Sequence, residues 1–315
     1  MKILIVAALG VLLGASAQAE TLKVASGQRG AWDTTVAEWG QRKGFFKEQG
    51  LELEIVFTSG SGETQQAVTS GSVDIGIAVG TIGVIGAVAQ GAPIKIVSSV
   101  FIGCPDLFWY VRGNSPIKSF KDAADKSVAF STIGASTHLI SRKLVEQAGV
   151  AAKLVATGGP SATLTMVMSG QIDIGWSFPP FAFPHIDRGD IRIVGRGSDV
   201  PELANQTVRT LIAHANVLAT RRDAVVRFMK AYQKTMDWMY ASEEAVTWYA
   251  EANNVTLEQA RRAVTQFEPR ESTRLGPITG LDISMQQAIE FKRISKPLSQ
   301  DEIARMLDII DPTKL

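Results

Sequence analysis

The sequence predicts an α/β fold of two similar lobes, each a mostly parallel sheet flanked by helices, joined by a hinge that the chain crosses twice. Three observations carry this. A phrase is written twice: Ser70-Gly71-Ser72-Val73-Asp74-Ile75-Gly76 returns as Ser169-Gly170-Gln171-Ile172-Asp173-Ile174-Gly175. The text upstream repeats in the same order, Thr58-Ser59-Gly60 as Thr157-Gly158-Gly159 and Glu48-Gln49-Gly50-Leu51 as Glu146-Gln147-Ala148-Gly149-Val150. Collinear matches of this kind mark structurally equivalent units. Short apolar strands alternate with helical stretches, which implies right-handed crossovers and a largely parallel sheet. Finally, 315 residues are enough for two domains.

Residues 1–19 read as an export leader and not as part of the fold. Lys2 supplies the positive start, residues 3–13 an apolar run, and Ala17-Gln18-Ala19 a cleavage site before Glu20. The run is shorter than the roughly 20 residues needed to span a bilayer, so no stable membrane insertion is expected. No Cys follows it to take a lipid anchor.

In the first unit, residues 22–25 read as a strand and 32–46 as a helix, with Trp32, Val36, Trp39 and Phe46 on its apolar side. Residues 51–57 alternate with Glu52 and Glu54, a strand with one solvated face. A helix over 62–69, a strand over 73–79, a helix over 83–90 and a strand over 94–100 follow. Asn114-Ser115-Pro116 is a turn signal that opens the second unit. There the expected order is strand 127–130, helix 136–148, strand 153–156, helix 161–168, strand 172–176 and strand 191–195.

Crossings are expected near 107–112 and 208–216, which divides the chain into lobe 1 (20–108 with 215–315) and lobe 2 (109–214). From about residue 221 the chain reads as helical. Val225, Phe228, Met229, Tyr232, Met236 and Met239 form a core-facing stripe. Thr256-x-x-Gln259 and Ser299-x-x-Glu302 are capping boxes that start further helices.

In open α/β sheets, ligands sit beyond the carboxyl ends of the strands. The loops at those ends are rich in Gly, Ser and Thr, which suits anionic oxygens held by helix N-termini. The candidate ligand-binding residues are therefore Gln28, Arg29, Trp32, Ser59, Gly60, Ser61, Gly80 and Thr81 in the first unit, and Thr132, Ser136, Thr137, His138, Ser177 and Phe178 in the second. Ser59-Gly60-Ser61 and Ser136-Thr137 are the two facing cradles, with Arg29 and His138 as cations and Trp32 and Phe178 as apolar lining. The serines and threonines serve equally as N-caps closing their own helices. The run Trp176-Ser177-Phe178-Pro179-Pro180-Phe181 is unusually apolar for a loop, which favours a pocket there. Asp74 and Asp173 occupy equivalent strand starts and read as scaffold.

The chain resembles the periplasmic solute-binding proteins of ABC importers, in the subgroup that serves sulfonates, taurine, nitrate and thiamine precursors. The resemblance rests on Lys43-Gly44-Phe45-Phe46-Lys47-Glu48-Gln49-Gly50-Leu51, the doubled phrase, Gly91-Ala92-Pro93-Ile94, Ile117-Lys118-Ser119-Phe120-Lys121-Asp122 before Val128-Ala129-Phe130, and Gly134-Ala135-Ser136-Thr137-His138. It covers nearly the whole chain after the leader. It implies a type II periplasmic-binding-protein fold and a periplasmic monomer that closes around a small anionic ligand and delivers it to a membrane permease. A periplasmic sensor lobe shares the same fold. Taurine-type receptors also need an acidic partner for the ammonium, and Phe178-Pro179 stands where a more polar pair is expected; this favours a ligand with an apolar body.

Composition and motifs exclude several other classes. Lys and Arg number 32 against 31 Asp and Glu, which gives no electrostatic reason to expect nucleic acid as partner. His138, His185 and His214 have no i,i+4 partner, and no C-x-x-C or H-E-x-x-H pattern occurs, so neither a metal nor a cofactor is expected. No serine sits in a G-x-S-x-G context, Gly60-Ser61-Gly62-Glu63 lacks the P-loop ending, and the single Cys104 permits no disulfide. A fungal branch of the fold makes the thiamine pyrimidine in a self-consuming reaction that depends on a cysteine-rich motif. One cysteine and an export leader argue against that chemistry, so no catalytic residue is expected.

Overall fold

The structure is a computed structural model that describes residues 19–314. The leader expected over 1–19 lies, except for Ala19, outside the described residues. The chain builds β1 (Glu20–Ser26), α1 (Val36–Lys43), α2 (Phe45–Glu48), β2 (Leu51–Phe57), α3 (Ser61–Thr69), β3 (Ile75–Gly80), α4 (Thr81–Ala89) and β4 (Ile94–Ile102). It then crosses to a second lobe of β5 (Phe108–Arg112), β6 (Ser127–Phe130), α5 (Ser136–Ala148), β7 (Lys153–Ala156), α6 (Pro160–Ser169), β8 (Gly175–Ser177), α7 (Phe183–Asp187) and β9 (Ile191–Arg196). It returns as β10 (Thr207–His214) and finishes with α8 (Ala215–Thr220), α9 (Arg222–Ala241), α10 (Glu243–Asn253), α11 (Leu257–Phe267), α12 (Leu281–Glu290) and α13 (Gln300–Met306).

The sheet of lobe 1 runs β2-β1-β3-β10-β4, with β1 parallel to β2 and β3, and β10 antiparallel to both neighbours. Lobe 2 repeats the plan. β6 and β7 are parallel, β5 is antiparallel to β8 and β9, and a parallel bridge from Val128 to Ile174 joins the two pieces. Each sheet thus takes one antiparallel strand, β10 or β5, from the far side of a crossing. β3 is buried along its whole length, as a continuous apolar run covered on both faces should be. β2, at the edge, buries Leu51 and Leu53 and exposes Glu52 and Glu54.

The doubled phrase is scaffold in both lobes. Asp74 Oδ2 accepts the Lys23 N–H at 2.8 Å, and Asp173 Oδ2 accepts the Ser127 N–H at 2.9 Å and the Ser127 hydroxyl at 2.8 Å. The upstream repeat carries a second matched device. The Thr58 and Thr64 hydroxyls bond at 2.7 Å and those of Thr157 and Thr163 at 2.6 Å, while Thr64 and Thr163 donate on to the carbonyls of Gly60 and Gly159. Both capping boxes, Thr256 with Gln259 and Ser299 with Glu302, are formed. The stripe from Val225 to Met239 is buried core.

Two expectations are corrected. The helix expected over 32–46 starts only at Val36 and breaks at Gly44, whose φ of 84° ends α1. Residues 27–35 are a loop instead, because Thr34 Oγ1 donates to the Gln28 carbonyl and Thr35 Oγ1 to the Trp32 carbonyl, side-chain bonds that compete with helix. Trp32 had fallen on helical spacing by coincidence. The crossings lie at 103–107 and 197–206 rather than 107–112 and 208–216: β5 is paired within lobe 2 to β8 and β9, and β10 belongs to the sheet of lobe 1, where its ladders to β3 and β4 bury every residue but His214.

Candidate functional site

A cavity lies between the lobes, beyond the carboxyl ends of β1 and β3 on one side and of β6 and β8 on the other. Lobe 1 contributes Gln28, Asp33, Ser61, Ala78 and Arg209, the first crossing Asp106 and Leu107, and lobe 2 Ser131, Ser136, Thr137, Trp176 and Phe178. The enclosed space is about 30 Å³, room for about two water molecules. The lobes touch directly around it, and this is the closed arrangement. The Gly62 N–H donates to Thr132 Oγ1 at 3.1 Å, and Arg209 Nε donates to Ser136 Oγ at 3.1 Å.

Arg209 is the centre of the site. It is 6% exposed, and its guanidinium donates to Asp33 Oδ2 at 2.8 Å and Asp106 Oδ2 at 2.6 Å while lying 4.6 Å from the centre of the Phe101 ring. The backbone aims it there: the ladder between β10 and β4 shifts register on either side of Arg209. β3 bulges opposite, with Ala78 in the left-handed region at φ 59° on the cavity wall. Burial works against the Arg209 charge, and Asp106 and Asp33 more than restore it. The Asp106 carboxyl is pushed up to about 6 by burial, against the opposing pull of Arg209. Glu268, fully buried nearby, is pushed well above the carboxylate range by burial first and then by Asp106 and Asp33.

The expected residues divide between the cavity and its surroundings. Gln28, Ser61, Ser136, Thr137 and Phe178 line it. Helix α5 begins there without a side-chain cap, which leaves the Ser136 and Thr137 N–H groups for an acceptor, the His138 N–H being taken by the Ala135 carbonyl at 3.1 Å. The hydroxyls are partly committed: Thr137 Oγ1 accepts the Ser131 N–H at 3.0 Å, and Ser61 Oγ accepts the Gly80 N–H at 2.7 Å.

The others go elsewhere. Arg29 is at the surface, paired with Glu38 at 2.7 Å and stacked on Phe57. His138 lies outside the cavity, stacked on Phe130 at 4.3 Å and edge-on to Phe291 at 5.3 Å, and burial, with Arg142 and Arg293, lowers it to about 4. It is therefore a neutral ring and not a cation. Trp32 is core, edge-on to Trp39, Tyr240 and Tyr249. Ser59 bonds Glu63, Thr81 Oγ1 donates to the Thr207 carbonyl at 2.7 Å, and Ser177 Oγ donates to the Phe178 carbonyl at 3.3 Å.

The glycines expected to admit a ligand instead admit the other lobe. A Cβ on Gly80 would stand 2.4 Å from the Gly134 carbonyl oxygen, and one on Gly60 3.1 Å from the Thr132 side chain. Sequence reasoning missed Arg209 and Asp106 as cavity residues, while the apolar run that opens at Trp176 does reach the cavity wall. A signal for Arg209 existed, since a charged residue inside the apolar run 208–213 is nearly always paired when buried.

The family description "NMT1/THI5 like" matches residues 35–246. The chain belongs to the NMT1/THI5-like family. Among curated proteins it is similar to 4-amino-5-hydroxymethyl-2-methylpyrimidine phosphate synthase THI5 of Saccharomyces cerevisiae, 22% identical over 244 residues, 72% of this chain and 71% of that protein. Among solved structures it is similar to the alkanesulfonate-binding protein SsuA from Xanthomonas axonopodis pv. citri bound to MOPS. The TM-score is 0.77 at 15% identity, over 92% of this chain and 98% of that one. It is also similar to the periplasmic aliphatic sulphonate binding protein SsuA from Escherichia coli, with a TM-score of 0.69 at 19% identity and 91% of each chain covered. The fold expected from the sequence is the fold observed: a periplasmic-binding-protein architecture. Among the described residues no group of His, Cys, Asp and Glu converges to hold a metal ion, and no helix is long and apolar enough to cross a membrane.

Proposed function

We propose that this NMT1/THI5-like chain is an exported, periplasmic solute receptor that captures a small organic anion, of the sulfonate or carboxylate class, and delivers it to the permease of an ABC importer. The observation that carries this is the cavity itself. It is walled by both lobes, closed by their direct contact, and furnished with Arg209, the uncapped start of α5 and a ring of hydroxyls. Such a site is filled and emptied by rotation about the crossings at 103–107 and 197–206. A ligand stabilises the closed form by its differential affinity for that form.

The relationship to a synthase favours one second reading, an enzyme of thiamine-pyrimidine synthesis. Cys104 is the single cysteine, it is buried, and burial pushes its thiol well above the ordinary range, so no cysteine chemistry is supported. A receptor that feeds a signalling protein is distinguished by the genes beside this one, since an importer needs an ATPase and a permease.

The experiment is a thermal-shift and calorimetric screen of the purified protein against sulfonates, nitrate, aromatic carboxylates and pyrimidines. A rise in melting temperature with organic sulfonates or carboxylates, without turnover, is the expected result. Stabilisation by uncharged or cationic compounds alone contradicts the anion class, and covalent conversion of a bound compound contradicts the receptor.

A further inference from the structure

We propose that the end of α12, Glu290 to Arg293, is a latch that grips α5 across the lobe boundary and keeps part of the population closed without any ligand. The latch stands apart from the cavity, since Glu290, Phe291, His138, Arg142 and Lys143 all lie outside its wall.

The first argument is where α12 is fastened. The helix packs on α4 of lobe 1. Its Ser284 hydroxyl and Gln287 carbonyl oxygen accept from the side-chain amide of Gln206 at 2.8 and 2.7 Å. Gln206 is buried and is the last residue of the second crossing, so α12 is bolted to lobe 1 at the pivot. One turn further on, Lys292 closes the helix in the left-handed region at φ 55°, a conformation that disfavours a residue other than glycine. Arg293 then turns back onto α4, where a Cβ on Gly86 would stand 3.1 Å from its side chain. The surroundings hold this turn, and it presents Phe291 to the other lobe.

The second argument is what the turn meets there. The Phe291 ring is edge-on to His138 at 5.3 Å and lies 4.5 Å from the Arg142 guanidinium. Beside it, Lys143 Nζ donates to Glu290 Oε2 at 3.3 Å. The same ammonium is 3.5 Å from Glu146 on its own helix and 3.1 Å from Glu202 on the second crossing. Lobe 2, the crossing and lobe 1 therefore each bring a carboxylate to one lysine, whose side chain is only 13% exposed. A pair shielded to this degree attracts more strongly than one in open water. Rotation that carries α5 away from α12 gives up the aromatic contact, the cation–π contact and the ion pair together. The closed form thus has a source of stability independent of what fills the cavity. Any ligand gains apparent affinity, because part of the population is already closed.

The test is electron–electron double resonance on protein freed of co-purified ligand by dialysis under mild denaturant. Nitroxides are placed on Val56→Cys in lobe 1 and Ser161→Cys in lobe 2, both exposed positions, while the native Cys104 is buried and stays unlabelled. Two distances should appear, with the shorter, closed one populated. Phe291→Ala should lower the closed-to-open ratio by at least about fivefold. Glu290→Lys, which sets a second ammonium against Lys143, should lower it by a similar factor. Circular dichroism reports whether each variant is folded. Glu290 is exposed, so Glu290→Lys decides the matter even if Phe291→Ala fails to fold. A single open distance in the ligand-free parent protein overturns the latch. An unchanged distribution in either folded variant overturns its assignment to the end of α12. No ligand is used, so either failure leaves the receptor reading above standing.

Discussion

Arg209 and Ser136, 73 residues apart in the chain, meet across the cleft: the guanidinium Nε of one donates to the hydroxyl of the other at 3.1 Å. Arg209 stands on β10 of lobe 1 and Ser136 opens α5 of lobe 2, so one side chain both ties the lobes together and neutralises the two carboxylates beside it. Removing it by Arg209→Met leaves Asp33 and Asp106 buried without a counter-charge. The expected cost is about 3–5 kcal/mol of unfolding free energy, read by urea denaturation with tryptophan fluorescence. Arg209→Lys should recover only part, since a point-like ammonium cannot serve three acceptors with the fixed fork of a guanidinium.

Gly80→Ala should hold the lobes apart. Its new Cβ would meet the Gly134 carbonyl oxygen at 2.4 Å, a backbone atom that can yield only if lobe 2 moves away. Affinity for the natural ligand should fall by about tenfold or more, and the radius of gyration measured by small-angle scattering with ligand present should stay that of the open form. Gly159→Ala is the control, because nothing lies within 4 Å of a Cβ there. Equal affinity in both variants would show that the glycine contacts play no part in closure.

His138 gives the protein a stability that depends on pH. Its folded pKa of about 4 lies below the unfolded value of 6.5, so the unfolded chain takes up the proton first as pH falls. Its contribution is complete above pH 6.5 and disappears progressively toward pH 4, a loss of roughly 2–3 kcal/mol over that window. Replacement by Gln should flatten this part of the profile, which chemical denaturation at stepped pH would show. An unchanged slope in His138→Gln would assign the loss to other groups.

Asp173→Ala should separate scaffold from site. It removes the acceptor for the backbone and side chain of Ser127 and should cost about 1–2 kcal/mol. Ligand affinity should change less than about twofold, because the carboxylate lies at the start of β8, at the opposite end from the cavity. A large loss of affinity with stability preserved would return the doubled phrase to the binding site.

Much of the fold was legible because it is local. Residues 127–130, 136–148 and 153–156 were expected as strand, helix and strand, and β6, α5 and β7 have those bounds. Each is set by apolar spacing, and the helix also by Gly149 in the left-handed region at its end, all within a few turns of chain. The loop at 27–35 was not legible, because its hydroxyl bonds to nearby carbonyls compete with a helical pattern that Trp32 happened to continue. The cations expected at the site, Arg29 and His138, were chosen by proximity to loops; one finds Glu38 and the other an aromatic face.

The sequence by itself determined the two repeated units, the strand-helix order within them, the roles of Asp74 and Asp173, and the edge of the sheets where the cavity between the lobes lies. These follow from periodicity and from repetition, which any stretch of chain displays without its partners. Only the tertiary structure decided which charges share the cleft. Arg209 and Asp33 are 176 residues apart, and the pair exists because the returning strand inserts between β3 and β4. Burial then makes that pairing obligatory, since a guanidinium shielded from water is stable only where carboxylates face it.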